Sequence, residues 1–156
     1  MGQCNTTEDE EMLLKLEVGG KMPILPVVRR DYHDEFYDSF LPKQLNKSEF
    51  LNSEESAPCD KIRKRLEESY GVLERSPMVD SKYPGSTRIQ GPFLSSDKTM
   101  IYKGSVKESY PNGWGEGLNL KTNVYFQGYW ENGVPNYFGR CLYSDGSVYE
   151  GGLYKA

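Results

Sequence analysis

Three groups of residues in this 156-residue chain have types and spacing that could do chemistry. The first is the opening MGQCNT, where Gly2 follows Met1 and Thr6 stands in the sixth position. This is the M-G-x-x-x-[ST] signal for acylation of the Gly2 amine with myristate, and the nearby Cys4 thiol could take a palmitoyl chain. One myristoyl chain holds a protein at a membrane only marginally, with an association constant of about 10⁴ M⁻¹, so a second signal is required. The flanking EDEEM is acidic and supplies no polybasic signal, which leaves Cys4 as the second anchor. The second group is His33, the single histidine, set in DYHDE. A general base needs a positioned partner, and an exposed or structural role is expected instead. The third is KIRKR, Lys61 to Arg65, read as a solvated helix face rather than a phosphate-binding patch.

Other chemistry is disfavoured. Cys4, Cys59 and Cys141 are odd in number, far apart and without a CxxC pair, so neither a disulfide framework nor a zinc site is indicated, and a reducing, intracellular setting is expected. No catalytic constellation or phosphate loop is recognised; the chain is expected to be no enzyme, with no cofactor and no metal. The longest apolar patch, MPILPVV, is too short and too interrupted by proline to span a bilayer. Residues 1–60 hold six Lys/Arg against thirteen Asp/Glu, residues 61–82 six against four, and residues 83–156 seven against six. A nucleic-acid binder carries a basic stripe, and nothing here resembles one.

The elements that would position these groups change character near residue 82. Residues 1–20 form an acidic segment in which Thr7 and Glu10 make a capping-box pattern ahead of Met12, Leu13, Leu14 and Leu16, which predicts a short helix. Residues 21–82 begin with a Gly/Pro-rich extended linker and hold two further amphipathic helices. In one, Tyr32, Phe36 and Phe40 recur every four positions until Pro42 stops the helix. In the other, Ser56 is the expected cap, Pro58 lies in the first turn, and Ile62, Leu66 and Tyr70 align before Gly71. Each helix has one apolar face that must cover something.

Residues 83–156 are dominated by glycine, tyrosine and turn signals. YKGSV, FQGYW and YEGGL align as aromatic-x-Gly-x-large, starting at Tyr102, Phe126 and Tyr149, at intervals of 24 and 23 residues. Asn132-Gly133 and Asp145-Gly146 are hairpin turn pairs. Period-two alternation puts Phe126, Gly128 and Trp130 on one face and Gln127, Tyr129 and Glu131 on the other.

Residues 126–151 resemble the MORN (membrane occupation and recognition nexus) repeat, roughly Y-x-G-x-W-x-x-G-x-x-x-G-x-G followed by a D-G turn and the next Y-x-G. Phe126, Gly128, Gly139, Tyr149 and Gly151 match; Tyr137 stands where the family usually has glycine. The preceding copy, 102–125, keeps Tyr102, Gly104, Gly113 and Gly115, has Val106 for the aromatic and lacks a D-G turn. A half repeat covers about 89–101, with Asp97 near its turn, the strong copy runs 126–148, and an incomplete one begins at 149–156. The expected fold is mainly β: an elongated, single-layer antiparallel sheet of MORN-type hairpins, preceded by a helical and extended N-terminal region. Glycine gives room and aromatics give area, so the sheet is expected to build a thin core without a second layer.

So short an array is weak alone, so one of the two helices, or a partner chain that includes a second copy of this one, is expected to cover the sheet. The resemblance implies a non-enzymatic scaffold or adaptor, since MORN proteins are membrane-associated in cortical, ciliary and junctional settings and have been assigned phospholipid or protein binding. The near-neutral charge of 83–156 gives phospholipid headgroups little electrostatic hold, and an aromatic groove suits a peptide or helix. The expected contacts are Trp130, Tyr129, Tyr125 and Tyr143, with Trp130 equally placed to be sheet core. With Gly2 and Cys4 acylated, the chain would sit on the inner leaflet, at the cytoplasmic face of a plasma, cortical or ciliary membrane. Two alternatives are an unlipidated, soluble subunit of a ciliary or cytoskeletal assembly, and the regulatory part of a larger lipid-kinase-like or methyltransferase-like enzyme.

Overall fold

Glycines facing one another across neighbouring strands set the architecture. The computed structural model describes residues 32–84 and 88–153. Its strands are β1 (Leu45–Asn46), β2 (Gln90–Ser95), β3 (Met100–Lys107), β4 (Tyr110–Asn119), β5 (Tyr125–Glu131), β6 (Val134–Leu142) and β7 (Val148–Gly152). They form one antiparallel sheet in chain order, so the fold is mainly β, as expected. Gly104, Gly115, Gly128, Gly139 and Gly151 pair in register across the five strands β3 to β7. This row is a trough on one face. The first aromatic of each repeat folds into it: a Cβ on Gly128 would lie 2.7 Å from Phe126 Cζ, and one on Gly151 would lie 2.8 Å from the Tyr149 hydroxyl. Tyr102 and Tyr149 then donate to the carbonyls three residues on, Ser105 and Gly152, at 2.7 and 2.8 Å. Trp130 instead reaches across to β4, where its Cη2 stands 2.9 Å from the place of a Gly117 Cβ.

Turn chemistry follows the sequence at one end and departs from it at the other. Asn132 and Gly133 have φ of 51° and 92°, the left-handed pair of a two-residue hairpin. In the copy without a D-G pair, the Asn119 side chain accepts from Lys121 N and Thr122 N at 2.8 and 2.9 Å, and Asn123 takes φ 61°. An Asx-type turn thus does the work of the missing glycine.

Helix α1 (Tyr32–Ser39) lies on the trough face. Phe36 meets Phe126, and Phe40 meets Trp130, each edge-on with ring centroids 5.5 Å apart. Helix α2 (Ala57–Tyr70) covers the second face: its Cys59 and Leu66 belong to the same core as Leu118 and Tyr125. After Gly71 the chain runs on over that face through the short α3 (Pro77–Asp80), and Leu73 and Tyr83 pack with Trp114 and Tyr129. The single sheet is as expected, and so is a helical cover, although both helices supply it where one was expected: residues 32–84 clothe the sheet on both sides. Ser56 sits at the α2 N-cap position but its side chain makes no cap bond. The reciprocal bonds of a capping box come one turn earlier, from Asn52 and Glu55, at 2.9 and 2.8 Å. Gly2, Cys4 and the helix expected near Thr7 to Leu16 lie outside the described residues.

Candidate functional site

The four aromatics expected to meet a partner are core residues. Tyr125, Tyr129 and Trp130 are 0% exposed and Tyr143 is 4% exposed. None of the four is a surface contact in the folded chain, because the chain's own elements occupy the space a partner would use; for Trp130 this is the sheet-core placement expected as its equal alternative. Trp130 lies among Phe40, Tyr102 and Phe126 and donates from Nε1 to the Gly115 carbonyl at 3.1 Å. The Tyr129 hydroxyl accepts from Ser76 N and donates to Asp80 Oδ1, both at 2.8 Å, which ties β5 to α3. Tyr143 meets Tyr32 at 4.5 Å between centroids. Tyr102, Gly104, Phe126, Gly128, Gly139, Tyr149 and Gly151 all stand on the trough face, as the repeat spacing requires.

The trough face is thus a helix-binding surface with its own helix in it. Phe36 and Phe40 pack edge-on on Phe126 and Trp130, over the trough, and polar bonds hold the helix ends. Tyr32 donates to Asp145 Oδ2 at 2.7 Å, and the Ser39 carbonyl accepts from Asn119 Nδ2 at 2.7 Å. Asn119 ends β4 at the β4–β5 turn and Asp145 lies in the β6–β7 turn, at one end of the sheet, so two hairpins act as clips for α1.

The second face carries a polar cluster that the sequence did not single out. Glu116, 5% exposed in the middle of β4, accepts from Tyr125 at 2.6 Å and pairs with Arg63 of α2. Arg63 also bonds Asp60 at 2.9 Å. Burial pushes the Glu116 carboxyl above its ordinary range, while the Tyr125 bond and the Arg63 charge oppose that push. The Cys59 thiol beside them is pushed up to about 12, by burial first and then by Glu116, so it is held as a neutral thiol. A small cavity of about 220 Å³ opens next to this cluster, lined by Arg63, Arg75, Lys103, Trp114 and Gln127 among others. Arg75 bonds Asp80 at 2.9 Å, and its guanidinium lies 5.7 Å from the Trp114 ring centre. The cluster fastens α2 to the sheet; a lone acid in the glycine-aromatic run GWGEGLN was the available signal for it.

A larger groove, about 540 Å³, lies between α2 and the turn end of the second face. Ile62, Leu66, Leu118, Leu142 and Val148 supply its aliphatic lining. His33 is exposed on α1 beside Tyr37 and Asp34, the exposed one of the two placements expected of it. Among the described residues no helix is long and apolar enough to cross a membrane. Comparison with family models, with curated proteins and with solved structures found no match for this chain.

Proposed function

We propose that the chain is a non-enzymatic scaffold or adaptor, held at the cytoplasmic face of a membrane by acyl chains on Gly2 and Cys4, whose MORN-like sheet binds a helical protein segment. One observation carries the protein-binding half: α1 and the Phe40 that follows it place aromatics at i, i+4 and i+8, and Phe36 and Phe40 pack edge-on on Phe126 and Trp130 over the glycine trough. Glycines leave room for rings, and rings from a helix enter between those of the sheet. A partner helix with the same aromatic spacing competes with α1 for this face. Such helix-in-groove recognition takes its affinity from a few anchoring rings rather than from charge.

The anchoring half is supported by MGQCNT and by the need for two lipid signals. Mass spectrometry of the native N-terminus, with membrane fractionation of Gly2→Ala, tests it. Acyl masses on Gly2 and Cys4 and release of the Gly2→Ala protein into the soluble fraction are expected. Unchanged fractionation of that variant removes the membrane role. For the sheet, a synthetic helix carrying the Tyr32/Phe36/Phe40 spacing is expected to bind a Phe36→Ala/Phe40→Ala protein more tightly than the wild type; equal binding rules the trough out.

A further inference from the structure

We propose that the groove between α2 and the second face of the sheet is a site for an acyl chain, and that its occupant is the myristoyl group on Gly2 of the same molecule. This rests on the acylation proposed above and adds regulation to it: the lipid is either held in the protein or released to the membrane. The groove, about 540 Å³, is walled by Ile62, Leu66, Leu118, Leu142 and Val148, with Tyr143 also in its lining. Its volume is within the range of small-molecule sites, roughly 300–1,000 Å³.

The aliphatic walls favour a hydrocarbon over a peptide. Along Ile62, Leu66, Leu118, Leu142 and Val148 a peptide would find no hydrogen-bond partner for its backbone N–H and C=O groups, which costs free energy for each group; the polar side chains of the lining are Arg65, Ser69, Tyr70, Asn123, Tyr143 and Ser144. An unbranched acyl chain has no such backbone groups, and each methylene it buries is taken favourably out of water. Arg65 and Ser69 of α2 also line the groove and give it a polar margin, where the Gly2 amide would lie.

The route of the chain puts Gly2 within reach. Tyr32, the first described residue, donates to Asp145 and lies 3.2 Å from Ser147 Oγ, both in the β6–β7 turn. That same turn contributes Tyr143, Ser144 and Gly146 to the groove. Tyr32, where the described residues begin, therefore stands at the turn that forms one rim of the groove. Twenty-nine residues lie between Gly2 and Tyr32.

Three measurements on the full chain test this. Unmodified protein titrated with sodium myristate is expected to bind it, with binding reduced at least tenfold in Ser69→Trp and Ile62→Trp, two separate ways of filling the groove. Thermal melts of both variants check that they fold. Protein myristoylated on Gly2 is then mixed with neutral phosphatidylcholine vesicles. If the groove holds the chain nine-tenths of the time, partitioning is about tenfold weaker than for the groove-filled variants. Equal partitioning overturns the exchange, and absence of myristate binding by the unmodified chain overturns the site. A concentration-dependent dimer abolished by the same substitutions would assign the groove to a second copy and also overturn it. Should native Gly2 prove unacylated while the unmodified chain still binds myristate, the anchoring role falls and the groove stands as an acyl site for another source.

Discussion

Gly139 is required by a ring and not by a turn. A Cβ there would collide with the far edge of the Phe126 ring and with the Gln127 carbonyl. Overpacking of this kind costs roughly 1–3 kcal/mol, so Gly139→Ala is expected to destabilise by about 3 kcal/mol in urea melts. Because the two residues touch, the cost is expected to fall by at least about 1 kcal/mol in a Phe126→Leu background; strict additivity would show that the ring is not the cause. Asp97 makes a different kind of contribution. Its Oδ1 accepts from Thr99 Oγ1, Ser95 Oγ and Thr99 N at 2.6, 2.7 and 3.1 Å, and Oδ2 pairs with Lys43 at 3.0 Å. The Thr99 and Ser95 bonds hold its carboxyl well below the usual range. A depressed folded value stabilises above the unfolded pKa, about 3.9, and that stability is lost as pH falls through the folded value. The side chain is 51% exposed, so the net effect is modest. Asp97→Asn is expected to cost about 1 kcal/mol at pH 7, with the gap to wild type closing below about pH 4. A gap that stays constant down to pH 2 would contradict the hydrogen-bonded carboxylate.

At the scale of elements, legibility followed periodicity. Tyr32, Phe36 and Phe40 lie four apart, and the helix and its buried face could be read directly; Ile62, Leu66 and Tyr70 did the same for α2. The Asn132-Gly133 turn was equally plain. The run over the second face was not, because Leu73, Val79 and Tyr83 keep no helical or strand period and find their partners, Trp114 and Tyr129, far away in sequence. Nor could the placement of the four sheet aromatics be read. An aromatic on a strand looks the same whether a partner or the chain's own helix covers it. Tyr137 does have a physical account: it takes φ 64°, at the place where Gly113, 24 residues earlier, takes 102°. Tyrosine pays for that left-handed backbone and recovers packing against Tyr83 and Tyr129. For α1, Phe40→Ala removes a fully buried ring that touches Phe36, Phe126 and Trp130. The expected loss is about 3 kcal/mol, with a red shift of tryptophan emission as Trp130 meets water. An unshifted spectrum would mean that α1 does not shield the trough.

For the whole molecule, the question is whether the sheet behaves as a repeat array or as one cooperative unit. In an array each hairpin contacts only its neighbours, and stability is a sum over repeats. Here α1 reaches from the β4–β5 turn to the β6–β7 turn through Asn119 and Asp145, and α2 holds the middle of β4 through Glu116. These contacts tie different hairpins to the same covering elements. Unfolding followed by helical ellipticity and by tryptophan emission is therefore expected to give coincident transitions. A chain lacking residues 32–84 would expose Tyr102, Phe126 and Trp130 on one face and Tyr125 and Tyr129 on the other. Apolar patches of that extent drive association. The shortened chain is expected to melt at least about 15 °C lower than the full one, or to self-associate in sedimentation. A shortened chain that stays monomeric and melts within about 3 °C of the full one would show that the helices merely rest on a self-sufficient array. In that case α1 would leave the trough at little cost, and the sheet would stand open to partners in the resting protein.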